Sequence, residues 1–204
     1  MNGNVFVKHY TLGEINKKEV FRYMGVRVCD DVTDSLTDAC IKEVCTKSVF
    51  SPSVCFSVCD LEIACNTLCF GNIKTESVSL SRHLAGCDKA VLFAATVGIG
   101  IDMIIEKYSR LSASKALCFN AIGAQRIEEL CDMFCDDMKK EYSDCEHTSR
   151  FSPGYGDFDI GFQKEIFKLL NCPKNIGLSL CDSFIMSPSK SVSAIIGLKT
   201  KELT

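Results

Sequence analysis

The residues with the clearest capacity for chemistry form the hexapeptide 150–155, which reads Arg-Phe-Ser-Pro-Gly-Tyr. Arg150 offers a planar set of N–H donors that can hold a carboxylate or a phosphate through two hydrogen bonds. Pro153 fixes one backbone angle, and Gly154 permits conformations and close approaches closed to other residues. Tyr155 adds an aromatic face with a polar tip. These residue types predict a site for a small anionic ligand, but a simple Pro-Gly turn beside a solvated arginine has the same sequence.

The sequence around this hexapeptide resembles the activation (reactivation) domain of cobalamin-dependent methionine synthase, whose signature is Arg-x-x-Pro-Gly-Tyr. Upstream, residues 124–130 resemble the family's long central helix, and residues 18–25 resemble the opening of its stand-alone members. The resemblance covers most of the chain and is strongest from 113 to 198. Downstream, four segments match the family's following helix, connector and two closing elements in the same order: 162–170, 176–180, 183–188 and 191–193.

The resemblance implies a role in repairing a corrinoid enzyme. In the family, the domain binds S-adenosylmethionine and docks against a module that carries cobalamin. After the cobalt has been oxidised to cob(II)alamin, a flavodoxin- or ferredoxin-like electron donor reduces it and S-adenosylmethionine methylates it. The implied partners are therefore a corrinoid-binding methionine synthase or methyltransferase module and this electron donor. No general acid or base is required of the chain itself, because the cobalt carries the chemistry and the protein positions the methyl group.

The family's binding residues can be carried over one by one. The resemblance implies that Arg150 binds the carboxylate of the methionyl group. It further implies that Ser152, Pro153, Gly154 and Tyr155 form the wall of the S-adenosylmethionine site, with Gly154 and Tyr155 beside the methionine and ribose portions and the backbone near Ser152 beside the adenine.

Two residues of the central helix correspond to positions that face the corrinoid module in the family. These are Gln125 and Glu129, one helical turn apart. Gln125 departs from the acid found in the family. An equally reasonable interpretation of Glu129 is a solvated carboxylate on the surface of the helix.

The length of the chain suggests a stand-alone role. With 204 residues it has no room for homocysteine, folate and cobalamin modules, and it stops before the segment whose aromatic residues close over S-adenosylmethionine in longer members. We therefore expect a reactivation subunit that works on a separate corrinoid protein. Two alternatives stay open: a non-catalytic corrinoid-domain-binding or scaffold protein that has lost S-adenosylmethionine, and a cysteine-rich metal or redox protein.

Cysteine is unusually frequent, with fourteen in the chain. Cys55, Cys59, Cys65 and Cys69 have the spacing C-x3-C-x5-C-x3-C, which lacks the C-x2-C pairs of structural zinc sites and the spacing of common iron–sulfur motifs. We therefore predict that these four serve mainly as small apolar core residues, and that the cysteines are reduced thiols. The three histidines lie in no metal or nucleophile motif.

Composition excludes several other classes of protein. A net charge of −3 and a pI near 5.7 provide no basic field for nucleic acid. The apolar run 90–101 is shorter than the roughly 20 residues that cross a bilayer. The first twenty residues include several charged side chains and lack the apolar core of a secretory signal. We therefore expect a cytoplasmic protein that binds neither membrane nor nucleic acid.

The N-terminal part, 1–50, is predicted to be helical and peripheral. Asn16 can cap a helix over 17–24, and a second helix with apolar residues at helical spacing is predicted to begin at Thr33 or Asp34.

The rest of the chain, 51–204, is predicted to form the core that carries the hexapeptide. β-prone runs predict strands at 54–58, 67–70, 89–96, 183–186 and 191–198, with a short helix at 77–84. The longest helix should run from Ser112 or Ser114 to about Tyr142. Its predicted buried stripe comprises Leu117, Ala121, Ala124, Ile127, Cys131, Phe134, Cys135 and Met138. Together these elements predict a single α+β domain over 1–204, with a twisted, mainly antiparallel sheet, a long central helix and peripheral N-terminal helices.

Gly98 and Gly100 follow the predicted strand 89–96 and precede a helix. A strand, a glycine turn and a helix can present backbone N–H groups to an anion. The third glycine of the dinucleotide fingerprint is missing, however, so a Rossmann site is disfavoured. Tight packing between the strand and the helix explains these glycines equally well.

Overall fold

A seven-stranded antiparallel sheet lies at the centre of the computed structural model, which describes residues 4–201. Its order is β4-β3-β2-β5-β9-β6, and β1 pairs with β2 beside this path. The strands are β1 (Val5–His9), β2 (Ser53–Ala64), β3 (Thr67–Phe70), β4 (Ile73–Glu76), β5 (Lys89–Thr96), β6 (Cys145–His147) and β9 (Ser191–Thr200). A separate two-stranded sheet pairs β7 (Ser179–Leu180) with β8 (Met186–Ser187).

Helices cover both faces of the large sheet. They are α1 (Lys17–Met24), α2 (Asp31–Thr46), α3 (Val78–His83), α4 (Gly100–Ser109), α5 (Ala113–Glu141), α6 (Gln163–Leu170) and α7 (Cys172–Ile176), with a 3-10 turn at Ile160–Phe162. The predicted α+β class, with an antiparallel sheet and one long helix, is confirmed. None of the helices in the described part of the chain has the length and apolar character needed to span a membrane.

Local capping explains where several helices begin. The Asn16 side chain accepts hydrogen bonds from the backbone N–H groups of Lys18 and Glu19, and α1 therefore begins at the predicted residue. Ser77 and Ser112 cap α3 and α5 in the same way. The second helix begins earlier than predicted, at Asp31, because the preceding aspartate, Asp30, accepts from the backbone of Thr33 and supplies the cap.

Two apolar layers, one on each face of the sheet, form the core. Along β5, Val91, Phe93 and Ala95 pack against α1, α2, α4 and α5. The alternate residues Leu92 and Ala94 pack against α3, α6 and α7. This alternation follows from the two-residue period of a strand. Because β5 is buried on both faces, it reads as a continuous apolar run in the sequence.

Some sequence predictions differ from the structure. The N-terminal part contains β1, which was not predicted and which pairs with β2 in antiparallel register from Val5 opposite Ser57 to His9 opposite Ser53. Leu117 is 48% exposed, and Phe119 and Ile122 occupy the buried stripe of α5 in its place. The β-prone run at 183–186 forms a strand only at its end, where β8 begins.

Close packing accounts for the glycines after β5. A Cβ atom on Gly98 would overlap the Ser51 hydroxyl, and one on Gly100 would overlap the carbonyl oxygen of Val49. Gly98 also has a φ of +88°, which favours glycine. The turn into α4 therefore needs both glycines to approach the segment before β2.

Candidate functional site

The Arg-x-x-Pro-Gly-Tyr loop is attached to β9, an interior strand of the sheet. The Phe151 N–H donates to the Ile195 carbonyl, and the Ile195 N–H donates to the Phe151 carbonyl, both at 2.9 Å. A little earlier, the Thr148 N–H donates to the Gly197 carbonyl at 3.0 Å. A rigid strand therefore positions the start of the loop.

The turn itself is closed by its own backbone. The Gly154 N–H donates to the Phe158 carbonyl at 2.8 Å, and the Tyr155 N–H donates to the Ser152 carbonyl at 3.2 Å. Gly154 has a φ of +95°, in the region that favours glycine. Gly154 therefore adopts a backbone conformation that other residues rarely adopt, as the sequence analysis predicted.

A carboxylate fixes the far end of the loop to α3. Asp157 accepts hydrogen bonds from the Ser77 hydroxyl (2.7 Å) and from the backbone N–H groups of Val78 (2.7 Å) and Ser79 (2.9 Å). The bonds from Ser79, Ser77 and Val78 hold the pKa of Asp157 well below its usual range. At the preceding residue, Gly156, a Cβ atom would come within 2.5 Å of the Ser79 hydroxyl. The loop therefore lies close against α3.

The loop forms one wall of a groove of about 380 Å³. Four predicted site residues, Ser152, Pro153, Gly154 and Tyr155, come together along this wall. The rest of the lining consists of Ile160 and Gln163, near the start of α6, and of Met186 and the first residues of β9, 191–193. The residues that line the groove carry no charge.

Two of the residues that line this groove each carry a buried polar atom without a hydrogen-bond partner in the described part of the chain. These atoms are Oε1 of Gln163, a residue 5% exposed, and Oγ of Ser193, a residue 2% exposed. Sequence reasoning did not select either residue as a site residue. The sequence does contain a pattern that could have identified them. Gln163 is a polar residue at a buried position of the amphipathic helix within 162–170, and Ser193 is a polar residue on the interior strand that includes 191–193.

Arg150 lies outside the lining of the groove. Its Nη2 atom donates to Glu128 Oε2 at 3.0 Å and to Asp132 Oδ1 at 2.9 Å, both on α5. The side chain is 25% exposed. Both ion pairs use Nη2, so these two carboxylates do not engage the N–H groups of Nη1 and Nε. The predicted anion-binding arginine is therefore already held by two carboxylates.

Gln125 and Glu129 line a second groove, of about 450 Å³, between α1 and α5. Glu129 accepts from the Gly13 backbone N–H (2.9 Å), Gln125 Nε2 (3.0 Å) and Arg126 Nη1 (2.7 Å). Arg126 Nη2 in turn donates to the Gly13 carbonyl at 3.0 Å. Glu129 is thus not simply a solvated carboxylate, since it holds the N-terminal segment against α5.

The four regularly spaced cysteines occupy different environments. Cys55 is buried, Cys59 and Cys69 are half-buried, and Cys65 is exposed in the β2–β3 turn with a φ of +57°. The prediction of core packing therefore does not describe Cys65. Burial raises the pKa of Cys59 to about 11, so this thiol stays protonated near neutral pH. Within residues 4–201, no three His, Cys, Asp or Glu side chains are grouped as metal ligands.

Comparisons with known proteins identify the family and the fold. A family model described as "Vitamin B12 dependent methionine synthase, activation domain" matches residues 78–202. The fold is similar to a solved structure entitled "Crystal Structure of the MetH Reactivation Domain bound to AdoHcy", with a TM-score of 0.75 and 14% sequence identity, covering 98% of this chain and 80% of that one. No curated protein matches the sequence significantly. Because the family model covers more than half of its length, this chain belongs to the activation-domain family of vitamin B12 dependent methionine synthases.

Proposed function

We propose that this protein binds S-adenosylmethionine in the groove beside the Arg-x-x-Pro-Gly-Tyr loop and supports the reductive methylation of cob(II)alamin on a separate corrinoid-dependent methionine synthase or methyltransferase. The observation that carries the proposal is the groove itself, with a wall of Ser152, Pro153, Gly154 and Tyr155. Family membership supports the same reaction. The fold neighbour, a reactivation domain bound to AdoHcy, supports a ligand of this chemical class.

In the proposed reaction, this chain binds and orients the methyl donor. The corrinoid of the partner supplies the cobalt, a flavodoxin- or ferredoxin-like protein supplies the electron, and the methyl group leaves the sulfonium, so that S-adenosylhomocysteine is the co-product. Arg150 is proposed to hold the methionyl carboxylate through the N–H groups that Glu128 and Asp132 do not engage. The rigid attachment of the loop to β9 and α3 suits this positioning role, since catalysis by proximity requires a fixed geometry.

We further propose that the partner module docks over the second groove, where Gln125 and Glu129 lie. This groove is lined by Glu14 and Glu19 from the N-terminal segment and by Glu128 and Asp132 from α5. A reducing cytoplasm suits a chain with fourteen cysteines, and we place the protein there.

Titration calorimetry with S-adenosylmethionine tests the ligand. We expect the wild-type protein to bind, and Arg150→Ala to bind about 10- to 100-fold more weakly, because a charge-assisted hydrogen bond to the carboxylate is lost. Arg110→Ala is the matched control, since Arg110 is an exposed arginine at the end of α4 that forms an ion pair with Glu106, one turn earlier. Absence of binding by the wild type would instead favour the alternative of a scaffold that has lost S-adenosylmethionine.

A reconstituted assay tests the reaction. With the cognate corrinoid protein, the reductant and S-adenosylmethionine present, we expect this chain to accelerate the formation of methylcobalamin, followed by its absorption spectrum. Omission of either S-adenosylmethionine or the reductant should abolish the acceleration, because the reaction needs both a methyl group and an electron. No acceleration with the cognate partner present would argue against the proposed role.

A further inference from the structure

Two buried thiols from distant parts of the chain meet on one face of the central sheet. The Cys55 thiol, on β2, donates a weak hydrogen bond to Sγ of Cys172, the first residue of α7, and the two sulfur atoms are 3.7 Å apart. Both residues are 0% exposed and both are free cysteines. They belong to the apolar layer that contains the buried residues of α6 and α7.

This contact is close to the geometry of a disulfide. The sulfur atoms of a disulfide lie about 2.05 Å apart, so these two must approach by roughly 1.7 Å. Rotation of the two side chains, with a small shift of α7, can supply a movement of this size. The cysteines are 117 residues apart in the sequence. A bond between them would therefore close a long loop and remove much conformational entropy from the unfolded chain.

Burial protects the pair while α7 is docked. The hydrogen bond with Cys55 and, after it, burial raise the pKa of Cys172, so this side chain stays a thiol in the folded protein. The thiolate is the form that attacks a disulfide, and an apolar environment suppresses it. Oxidation of the pair therefore requires a local opening that brings Cys172 to solvent.

The helix α7 is held in place by few side chains. Of its five residues, all within the described part of the chain, Cys172 is the one that is buried. No side chain caps its first turn, and residues in the left-handed conformation flank it: Asn171 with a φ of +46° and Gly177 with a φ of +64°. Segments with few buried contacts open at low free energy. Because α7 packs on β2, its undocking exposes Cys172 and uncovers Cys55.

We propose that Cys55 and Cys172 form a reversible, redox-sensitive disulfide, and that undocking of α7 controls its formation. The co-reactant is a small-molecule disulfide such as oxidised glutathione. The Cys172 thiolate attacks one of its sulfurs and expels a first glutathione thiolate, and the Cys55 thiolate then attacks Sγ of Cys172 and expels the second. The two thiol protons pass to the two glutathione thiolates. The pair thus loses two electrons, and oxidised glutathione becomes two molecules of glutathione.

Peptide mapping after oxidation tests the pairing. The wild-type protein is incubated with excess oxidised glutathione under native conditions, its free thiols are alkylated, and it is digested without reductant. We expect mass spectrometry to find two peptides joined through Cys55 and Cys172, and dithiothreitol to release them. The oxidised protein should melt about 5–10 °C above the reduced protein, because the link restricts the unfolded chain.

Two variants serve as controls for the link. In Cys172→Ala we expect neither the joined peptides nor a rise in melting temperature between its own reduced and oxidised forms. Cys131→Ala is the matched control, since Cys131 is also 0% exposed but lies on α5. This variant should keep both the joined peptides and the rise.

The substitution Gly177→Ala tests the role of α7. A Cβ atom at this position would meet no atom within 4 Å, so the change acts through the positive φ, which disfavours alanine. We expect the disulfide to form about 5-fold faster, because α7 opens more often. Gly25→Ala is the matched control: Gly25 has a φ of +74° and equally open surroundings, but it ends α1. Its rate should be that of the wild type.

Two results would contradict this inference. Alkylated Cys55 and Cys172, with no joined peptides after oxidation of the wild type, would overturn the disulfide itself. Equal rates in Gly177→Ala and Gly25→Ala would overturn the control by α7, since access to the thiols would then depend on unfolding of the whole chain. Neither result bears on S-adenosylmethionine binding, which calorimetry on the reduced protein measures separately.

Discussion

Replacing Glu129 by alanine is expected to lower the free energy of unfolding by about 2–4 kcal/mol. Arg126, with a side chain only 7% exposed, would lose its carboxylate partner, and the Gly13 N–H would lose its acceptor. Burial already lowers the pKa of Arg126, and the charge of Glu129 opposes that effect. The expected loss is below that of a fully buried pair because Glu129 is 21% exposed. Urea denaturation followed by circular dichroism measures it.

Two variants serve as comparisons for this result. Glu106→Ala breaks the exposed Glu106–Arg110 pair on α4 and should cost less than about 0.5 kcal/mol. The double variant Arg126→Met with Glu129→Leu should lose less stability than Glu129→Ala alone, since it leaves no buried charge unpaired. Equal losses in Glu129→Ala and Glu106→Ala would contradict this account of Glu129.

The same contact bears on the proposed partner surface. Gln125 and Glu129 stand at the positions that the family resemblance assigns to the corrinoid interface, yet here Glu129 also holds the backbone of Gly13. A partner that docks at this groove therefore meets a surface built jointly from α5 and the N-terminal segment.

Several features that depend on nearby residues were predictable from the sequence, although the equally local cap of α2, Asp30, was missed. The caps Asn16, Ser77 and Ser112 act on backbone N–H groups within the next three residues, so the beginnings of α1, α3 and α5 follow from local chemistry. The continuous apolar run at 89–96 likewise predicted β5, an interior strand. The Arg-x-x-Pro-Gly-Tyr motif could be recognised because this order of residue types is distinctive.

Features that depend on distant contacts were not predictable. Strand β1 exists because Val5–His9 pairs with a segment nearly fifty residues later, and no local pattern marks that pairing. Arg150 was predicted to bind an anionic ligand, but the two carboxylates that it contacts lie on α5 and are brought there by the fold. The unpartnered state of Gln163 and Ser193 exists only once α6 and β9 pack beside the loop.

Asp157→Ala is expected to lower the melting temperature by several degrees at neutral pH and to weaken S-adenosylmethionine binding, because the far end of the loop would lose three hydrogen bonds to α3 and its cap. Asp159→Ala is the matched control in the same loop, since Asp159 accepts one local hydrogen bond, from Gly161 N–H. Its effect should be smaller.

The pH dependence of this effect has a definite sign. The pKa of Asp157 is lower in the folded than in the unfolded state, so its stabilisation is fully present above the unfolded value of about 3.9 and declines as the pH falls towards the folded value. The difference in melting temperature between wild type and Asp157→Ala should therefore be constant from pH 5 to 8 and shrink below about pH 4. A difference that stays constant at low pH would mean that the carboxylate charge does not hold the loop. The position of the groove wall formed by residues 152–155 would then depend mainly on the attachment of the loop to β9 and on the hydrogen bonds within the turn.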